Sequence, residues 1–186
     1  KIITYKKRSF FNLGKIEDVI KKKSLKKRLC GIVGVGLNFY RKKIVNKVFQ
    51  LDKSFKWESI VSKDCVLNGN VNIGDGSLIM SGVTINTQTI IGKHCFINTS
   101  SSIGFKNNFM DFSSCGPGVV IGGNVTIGEG SYLGIGSVVK NNIKIGKNTV
   151  VGGNSFVNRT CKKNSLYFGV PIKRVRDRKI NENYLK

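Results

Sequence analysis

The sequence predicts a mainly β fold: a parallel β-helix of hexapeptide repeats, preceded by a small, truncated α/β unit and followed by a basic tail. Three observations carry this. From Val61 to Val157 every sixth residue is aliphatic, Phe or Cys, 17 positions in one phase without an insertion. Six is neither the period of a helix nor that of a plain strand, and it is the spacing of a solenoid whose repeat is one short strand and a turn. The residue after the apolar one is Gly at 74, 92, 104, 116, 122, 128, 134, 146 and 152, which suggests a turn that needs positive φ. Four residues after the apolar one stand small or β-branched side chains such as Ser77, Val83, Thr89, Cys95, Ser101 and Ser113, as a second inward position at a tight corner requires. Sandwich strands would recur every roughly 8–12 residues and vary in length.

Along the chain, Ile16 to Lys27 reads as an amphipathic helix, Arg28 to Val35 as a buried parallel strand, and Asn38 to Phe49 as a second helix with Asn38 as its cap. Helix, strand and helix make the end of an α/β unit. The turn at Gly34 and Gly36 is a lone GxG, too little for a dinucleotide fingerprint. Ser59 to Val61 leads into the solenoid, Asn158 to Phe168 reads as a loop, and the residues after Arg174 as helical or disordered. The expected division is 1–57, a partial nucleotide-sugar-binding-like unit; 58–172, the β-helix; and 173–186, the basic tail. The chain opens on Lys1, and the expectation is that an upstream strand and glycine loop are missing.

The net charge of +22 is uneven. Residues 1–50 contribute +13, residues 51–157 only +2 and residues 158–186 +7. Basic flanks suit nucleic acid or a small polyanion, but the runs at 21–23 and 26–28 lack interleaved aromatics. Five cysteines without a CxxC pair, with Cys65, Cys95 and Cys115 at inward positions, read as reduced core residues and not as disulfides or metal ligands. That points to the cytoplasm. No apolar run follows the basic start, so no secretory leader is expected, and the apolar stretch Leu29 to Tyr40 is too short to span a bilayer.

Three segments carry a more specific likeness: Ile97-Asn98-Thr99 followed by Ser-Ser-Ser-Ile, the run from Val120 to Gly130, and Gly169-Val170-Pro171-Ile172-Lys173. With them the chain resembles, from about Cys30 to Arg176, the hexapeptide-repeat acyltransferases with a left-handed β-helix. Among these it looks most like the sugar acetyltransferases that act on sialic acid or nucleotide-linked amino sugars. The resemblance implies a homotrimer, acetyl-CoA as acyl donor in a groove between prisms, a sugar or nucleotide-sugar acceptor in surface-glycan synthesis, and no metal. It also implies that Asn98 and Thr99 bind substrate. Ser114, Gly122, Gly123, Gly134 and Gly152 would line the pantetheine path, and Lys173 and Arg174 would meet the CoA phosphates. The sequence departs from that family where its catalytic His and neighbouring acid belong: Phe105 and Lys106 stand there, and Ser114 stands at a second His position. The sole His, His94, falls at a different corner, where it reads as a turn residue, with a catalytic role as the lesser alternative. Without a base, N-acylation is favoured over O-acylation, because an amine that is partly unprotonated can attack unaided. The alternatives are a catalytically silent trimer that binds ligand or acts as scaffold, and a nucleic-acid-binding solenoid.

Overall fold

The computed structural model describes residues 15–21 and 30–185. Two helices, α1 (Ile16–Lys21) and α2 (Asn38–Leu51), and a two-residue parallel pair, β1 (Cys30–Gly31) with β2 (Lys56–Trp57), make the N-terminal unit. The rest of the helix expected to Lys27, together with Arg28 and Leu29, lies outside the described residues. The expected buried strand is a short edge pair instead, with Cys30 exposed. Asn38 does not cap α2. Leu37 holds the cap position, without a side-chain cap bond.

From β3 (Ile60–Val61) to β19 (Phe156–Val157) the chain is a three-sided parallel solenoid. Each strand pairs with the strand three repeats on: Ile85 with Ile103, Ile103 with Ile121, Ile121 with Val139. One coil is therefore 18 residues, six per side. From Ile79 on, the residues of the six-residue series point inward and form one ladder, with Ile79, Ile97, Ile103, Phe109 and Leu133 fully buried, while Leu67 in the first coil is exposed. The second inward series is buried too, including Ser77, Cys95, Ser113, Val119 and Ser137. Both series are where the sequence placed them.

The glycines are a correction. Positive φ falls three residues after the inward residue, at Gly76, Gly82, His94, Ser100, Lys106, Gly118, Asn124, Gly136 and Asn142. The glycines directly after the inward residue lack positive φ; they are small because the next coil lies against them. A Cβ on Gly104 would sit 2.6 Å from the Gly122 carbonyl oxygen, and one on Gly134 would run into the Gly153 backbone.

The three sides differ. A covered face (every third strand from β3 to β18, Val150–Val151, with Leu78, Phe96, Ser114, Tyr132 and Val150 outward) lies under α2 and the tail. An apolar face presents Val66, Thr84, Ser102, Val120, Val138 and Phe156, without a charge; Val66, Val120 and Val138 are 49%, 45% and 40% exposed. A third face carries Asn72, Ile90, Asn108, Thr126 and Lys144. The corner from the covered to the apolar face is termed edge 1, the next edge 2, and the one returning to the covered face edge 3.

The end of the chain also corrects the sequence reading. The expected loop contains a bridge, Ile145 to Cys161, and a strand, β20 (Ser165–Phe168), that continues the covered sheet. After Gly169-Val170-Pro171, with a cis Val170–Pro171 bond, β21 (Lys173–Asp177) returns antiparallel to β20. The first residues of the tail, through Asp177, are a strand where helix or disorder was expected, and residues 178–185 that follow are neither helix nor strand.

These two glycine roles are separable. Gly118 has φ of 65° and open space around a Cβ, so Gly118→Ala should cost only the left-handed backbone penalty, about 1–2 kcal/mol. Gly134→Ala must push two hydrogen-bonded coils apart and should cost roughly 3 kcal/mol or more. Equal losses in denaturant unfolding would show that volume between coils is not what the second glycine series serves.

Candidate functional site

The sequence-predicted site residues fall into separate columns, because residues 18 apart stack. Asn98–Thr99, Gly134 and Gly152 lie on edge 1, with Gly116–Pro117 between. The column continues to Phe168, whose ring covers Gly152, and Lys173 pairs across from Phe168. With coils about 4.8 Å apart, Asn98 to Phe168 spans roughly 20 Å, the length scale of an extended cofactor arm. Asn98 folds its carboxamide back, accepting a hydrogen bond from the Thr99 amide at 2.8 Å. Lys173 is exposed; Arg174, next to it, donates to Ser165 Oγ at 3.1 Å and pairs with Asp177.

Phe105, Lys106, Gly122 and Gly123 lie on edge 2. The Phe105 ring packs on Gly123, where a Cβ would be 2.5 Å from a ring carbon, and is 49% exposed. The Gly123 amide donates to Asn141 Oδ1 at 2.9 Å. Edges 1 and 2 therefore flank the apolar face, and the cofactor candidates are shared between them. A groove needing both edges at once would form where edge 1 of one prism meets edge 2 of another.

Neither edge carries a strong base. Edge 2 has Asn86, Gln88, Phe105, Lys106, Asn124, Lys140, Asn141 and Asn142 and no His, Cys, Asp or Glu. Edge 1 has only Asp64 and the half-buried Cys65, both at its N-terminal end; hydrogen bonds from Ser62 and Ser81 hold the Asp64 carboxyl below its ordinary range, and burial pushes the Cys65 thiol up. The other solenoid acids, Asp75, Asp111 and Glu129, are on edge 3, where Glu129 pairs with Lys42 and Lys147. Among the described residues no three His, Cys, Asp or Glu side chains gather as a metal site.

Ser114 and His94 stand apart from both open edges. Ser114 is 2% exposed and donates to Asn38 Oδ1, under α2. Asn38 itself donates to the carbonyls of Ser131 (2.9 Å) and Gly130 (3.2 Å), so a residue read as a cap is a fastener between helix and solenoid. Arg41, fully buried, donates to the carbonyls of His94, Val35, Gly36 and Phe112 and to Asn38 Oδ1, with its guanidinium 4.0 Å from the Phe96 ring centre. His94 has φ of 55°, a turn conformation. Its ring lies between Trp57 and Phe112, each 5.0 Å away, and is 4% exposed. Burial, with the Arg41 charge adding to it, pushes the imidazole down to about 4, against the opposing charges of Asp111 and Asp75. A neutral, enclosed ring of this kind packs a seam.

Sequence reasoning missed Asn107. It occupies a second-inward slot, is 1% exposed, donates to the carbonyls of Gly104 (2.8 Å) and Gly122 (2.9 Å) and accepts from the Val125 amide (2.7 Å). It locks the corner that carries Phe105. The signal was present: Asn107 is the one carboxamide in a series of small, hydroxyl or aliphatic residues.

The bacterial transferase hexapeptide (six repeats) family profile matches residues 124–159. A search of curated protein sequences finds no significant match. Among solved structures the chain is similar to a variant of the perosamine N-acetyltransferase from Caulobacter crescentus in complex with CoA and GDP-perosamine, at 29% identity, TM-score 0.78, covering 83% of this chain and 73% of that one. It also matches, at 23% identity and TM-score 0.74, the acetyltransferase domain of PglB from Neisseria gonorrhoeae in complex with acetyl coenzyme A, covering 77% and 69%, and WeeI from Acinetobacter baumannii, covering 78% and 70%. The latter two likenesses establish the fold. The family match and the first likeness bear out the resemblance to hexapeptide-repeat sugar acetyltransferases.

The seam yields a pH prediction. The folded-state pKa of His94, about 4, lies below the unfolded value of about 6.5. Stability from the neutral ring is therefore complete above about 6.5 and is lost as pH falls toward 4. Trp57, the sole Trp, touches His94 and should report this by fluorescence as the N-terminal unit loosens across that window. His94→Gln should flatten the change; an unaltered pH profile in that variant would assign it to other groups.

Proposed function

We propose that the chain is an acetyl-CoA-dependent N-acetyltransferase of a nucleotide-linked amino sugar in surface-glycan synthesis, working in the cytoplasm as a homotrimer. The likeness over 83% of the chain to an N-acetyltransferase bound to CoA and a nucleotide amino sugar carries this reading. The charge-free apolar face supports the trimer: contiguous exposed apolar surface rimmed by polar residues suits association. It would bring edge 1 of one subunit to edge 2 of the next, with Asn98, Thr99, Gly122, Gly123, Gly134 and Gly152 lining one groove. Among the described residues no helix is long and apolar enough to cross a membrane.

The absence of a strong base from both edges favours an amine acceptor. A positioned base contributes roughly 10²–10⁴-fold, whereas alignment of the two reactants supplies an effective concentration on the order of 10⁵ M or more by itself. A free sugar amine needs only the second. The same feature is what favours a silent, ligand-binding trimer as the second reading; there CoA binds and no acceptor is acetylated.

Acetyl transfer to a panel of UDP-, GDP- and dTDP-linked amino sugars, read as released CoA thiol, tests the proposal. Turnover is expected with one of them, and none with the matching hydroxyl sugars. With no enzyme base to titrate, log(kcat/KM) should rise with pH at unit slope and level off at the pKa of the acceptor amine. A limb that tracks an enzyme group instead, unchanged between acceptors of different amine pKa, would show that a base has been overlooked.

Lys173, at the end of the edge 1 column, would meet the 3′-phosphate of CoA, with Arg174 beside it. The double change Lys173→Ala, Arg174→Ala should weaken CoA at least tenfold while altering dephospho-CoA by less than about threefold. Each lost charge-assisted hydrogen bond is worth about 1.5–3 kcal/mol. Equal losses for both ligands would remove these residues from the site.

A further inference from the structure

We propose that Phe105 is the acceptor platform, the residue whose exposed ring face receives the apolar C–H face of an amino-sugar pyranose; this rests on the acyltransferase reading above. Its side chain does not behave as core. The inward ladder beside it is filled by Ile103 and Ile121, both almost fully buried, so the ring has no room inside. It lies on the outside of the stack instead, with its underside on Gly123, where a Cβ would stand 2.5 Å from a ring carbon in this pose. The corner beneath is rigid. Asn107 ties the Gly104 and Gly122 carbonyls together from within, Asn141 holds the Gly123 amide, and the Asn124 amide donates to the Phe105 carbonyl at 2.9 Å. A large apolar ring is thus held with one face seated and about half of its surface open.

The chemistry around it names the ligand. A pyranose has an apolar face of C–H bonds and a rim of hydroxyls that both donate and accept. An aromatic ring suits the first. Carboxamides suit the second, since each has two donors and an acceptor. Edge 2 supplies both: Asn124 and Asn142 are exposed and hydrogen-bonded to each other at 2.8 Å, one coil apart, and Asn86 lies in the coil before Phe105. Lys106, exposed at the turn position with φ of 54°, places a cation beside the ring, and no carboxylate on this edge opposes an anion. Ring, amides and one cation on a fixed corner match a sugar carrying a phosphate.

Phe105→Ala, Phe105→Leu and Phe105→Tyr should be compared in the full chain, with the best-bound member of the nucleotide amino-sugar panel as probe. For Ala and Leu the acceptor KM should rise about tenfold, the loss of an aromatic contact of about 1.4 kcal/mol, while the acetyl-CoA KM and the oligomeric mass stay as in the parent. Tyr should retain the parent values. Leu behaving as the parent would reduce Phe105 to a hydrophobic filler, and dissociation of the oligomer in the Ala variant would make it an assembly contact; either overturns the platform. CoA binding by calorimetry separates the two readings. If CoA binds and the acceptor KM ignores Phe105, only the platform falls. If the parent chain binds neither CoA nor any panel member, the acyltransferase reading falls with it.

Discussion

Each coil hydrogen-bonds to the coil 18 residues on, with the Gly104 amide donating to the Ile121 carbonyl and the Gly122 amide to the Val139 carbonyl, and everything else in the solenoid answers to that spacing. Parallel strands only two residues long have little stability alone. They gain it by stacking, where each added coil extends three sheets and one ladder at once. Fixed spacing then dictates side-chain volume. Inward positions take Ile, Leu, Val, Cys or Phe, second-inward positions take small or β-branched groups with Asn107 as the exception, and the residue after the ladder can have no Cβ where a backbone passes against it. The faces left over are free to specialise, and they have: one is covered, one is apolar and one is mostly polar.

The ladder was legible in the sequence because burial at a fixed period leaves an unbroken apolar series. The reason for the glycines was not, since spacing says that a small residue is needed but not whether conformation or volume needs it. For the site, a period of six located the corners, but only a period of 18 sorts them. Asn98, Gly116, Gly134 and Gly152 differ by 18 and share an edge; Gly104 and Gly122 share another; Ser114 belongs to a face. Asn38 and β21 were hidden for a different reason. Each depends on a partner far along the chain, Ser131 and Gly130 for the amide and the free edge of β20 for the strand, and local pattern does not record such partners.

Arg41 shows how the N-terminal unit is joined to this stack. A buried cation is costly unless its donors are met, and here four carbonyls, one carboxamide oxygen and an aromatic face meet them. Three of those acceptors, on Val35, Gly36 and Asn38, belong to the N-terminal unit, and two, on His94 and Phe112, to the solenoid. The bonding therefore exists only while the two parts are together. It fixes the angle of α2 on the covered face and leaves edges 1 and 2 clear.

The uninterrupted phase of the ladder also limits how such a chain can change length. Inserting 18 residues adds a coil and returns every later side chain to the face it had. Inserting six keeps the ladder intact yet turns all that follows by a third of a revolution, so that Tyr132 would leave its stack with Tyr184 and Gly134 would leave the column of Asn98. The hydrophobic pattern would not betray the change. In this architecture the interior tolerates a hexapeptide and the surface does not, and a surface that works by alignment across coils can be lengthened only by a full turn.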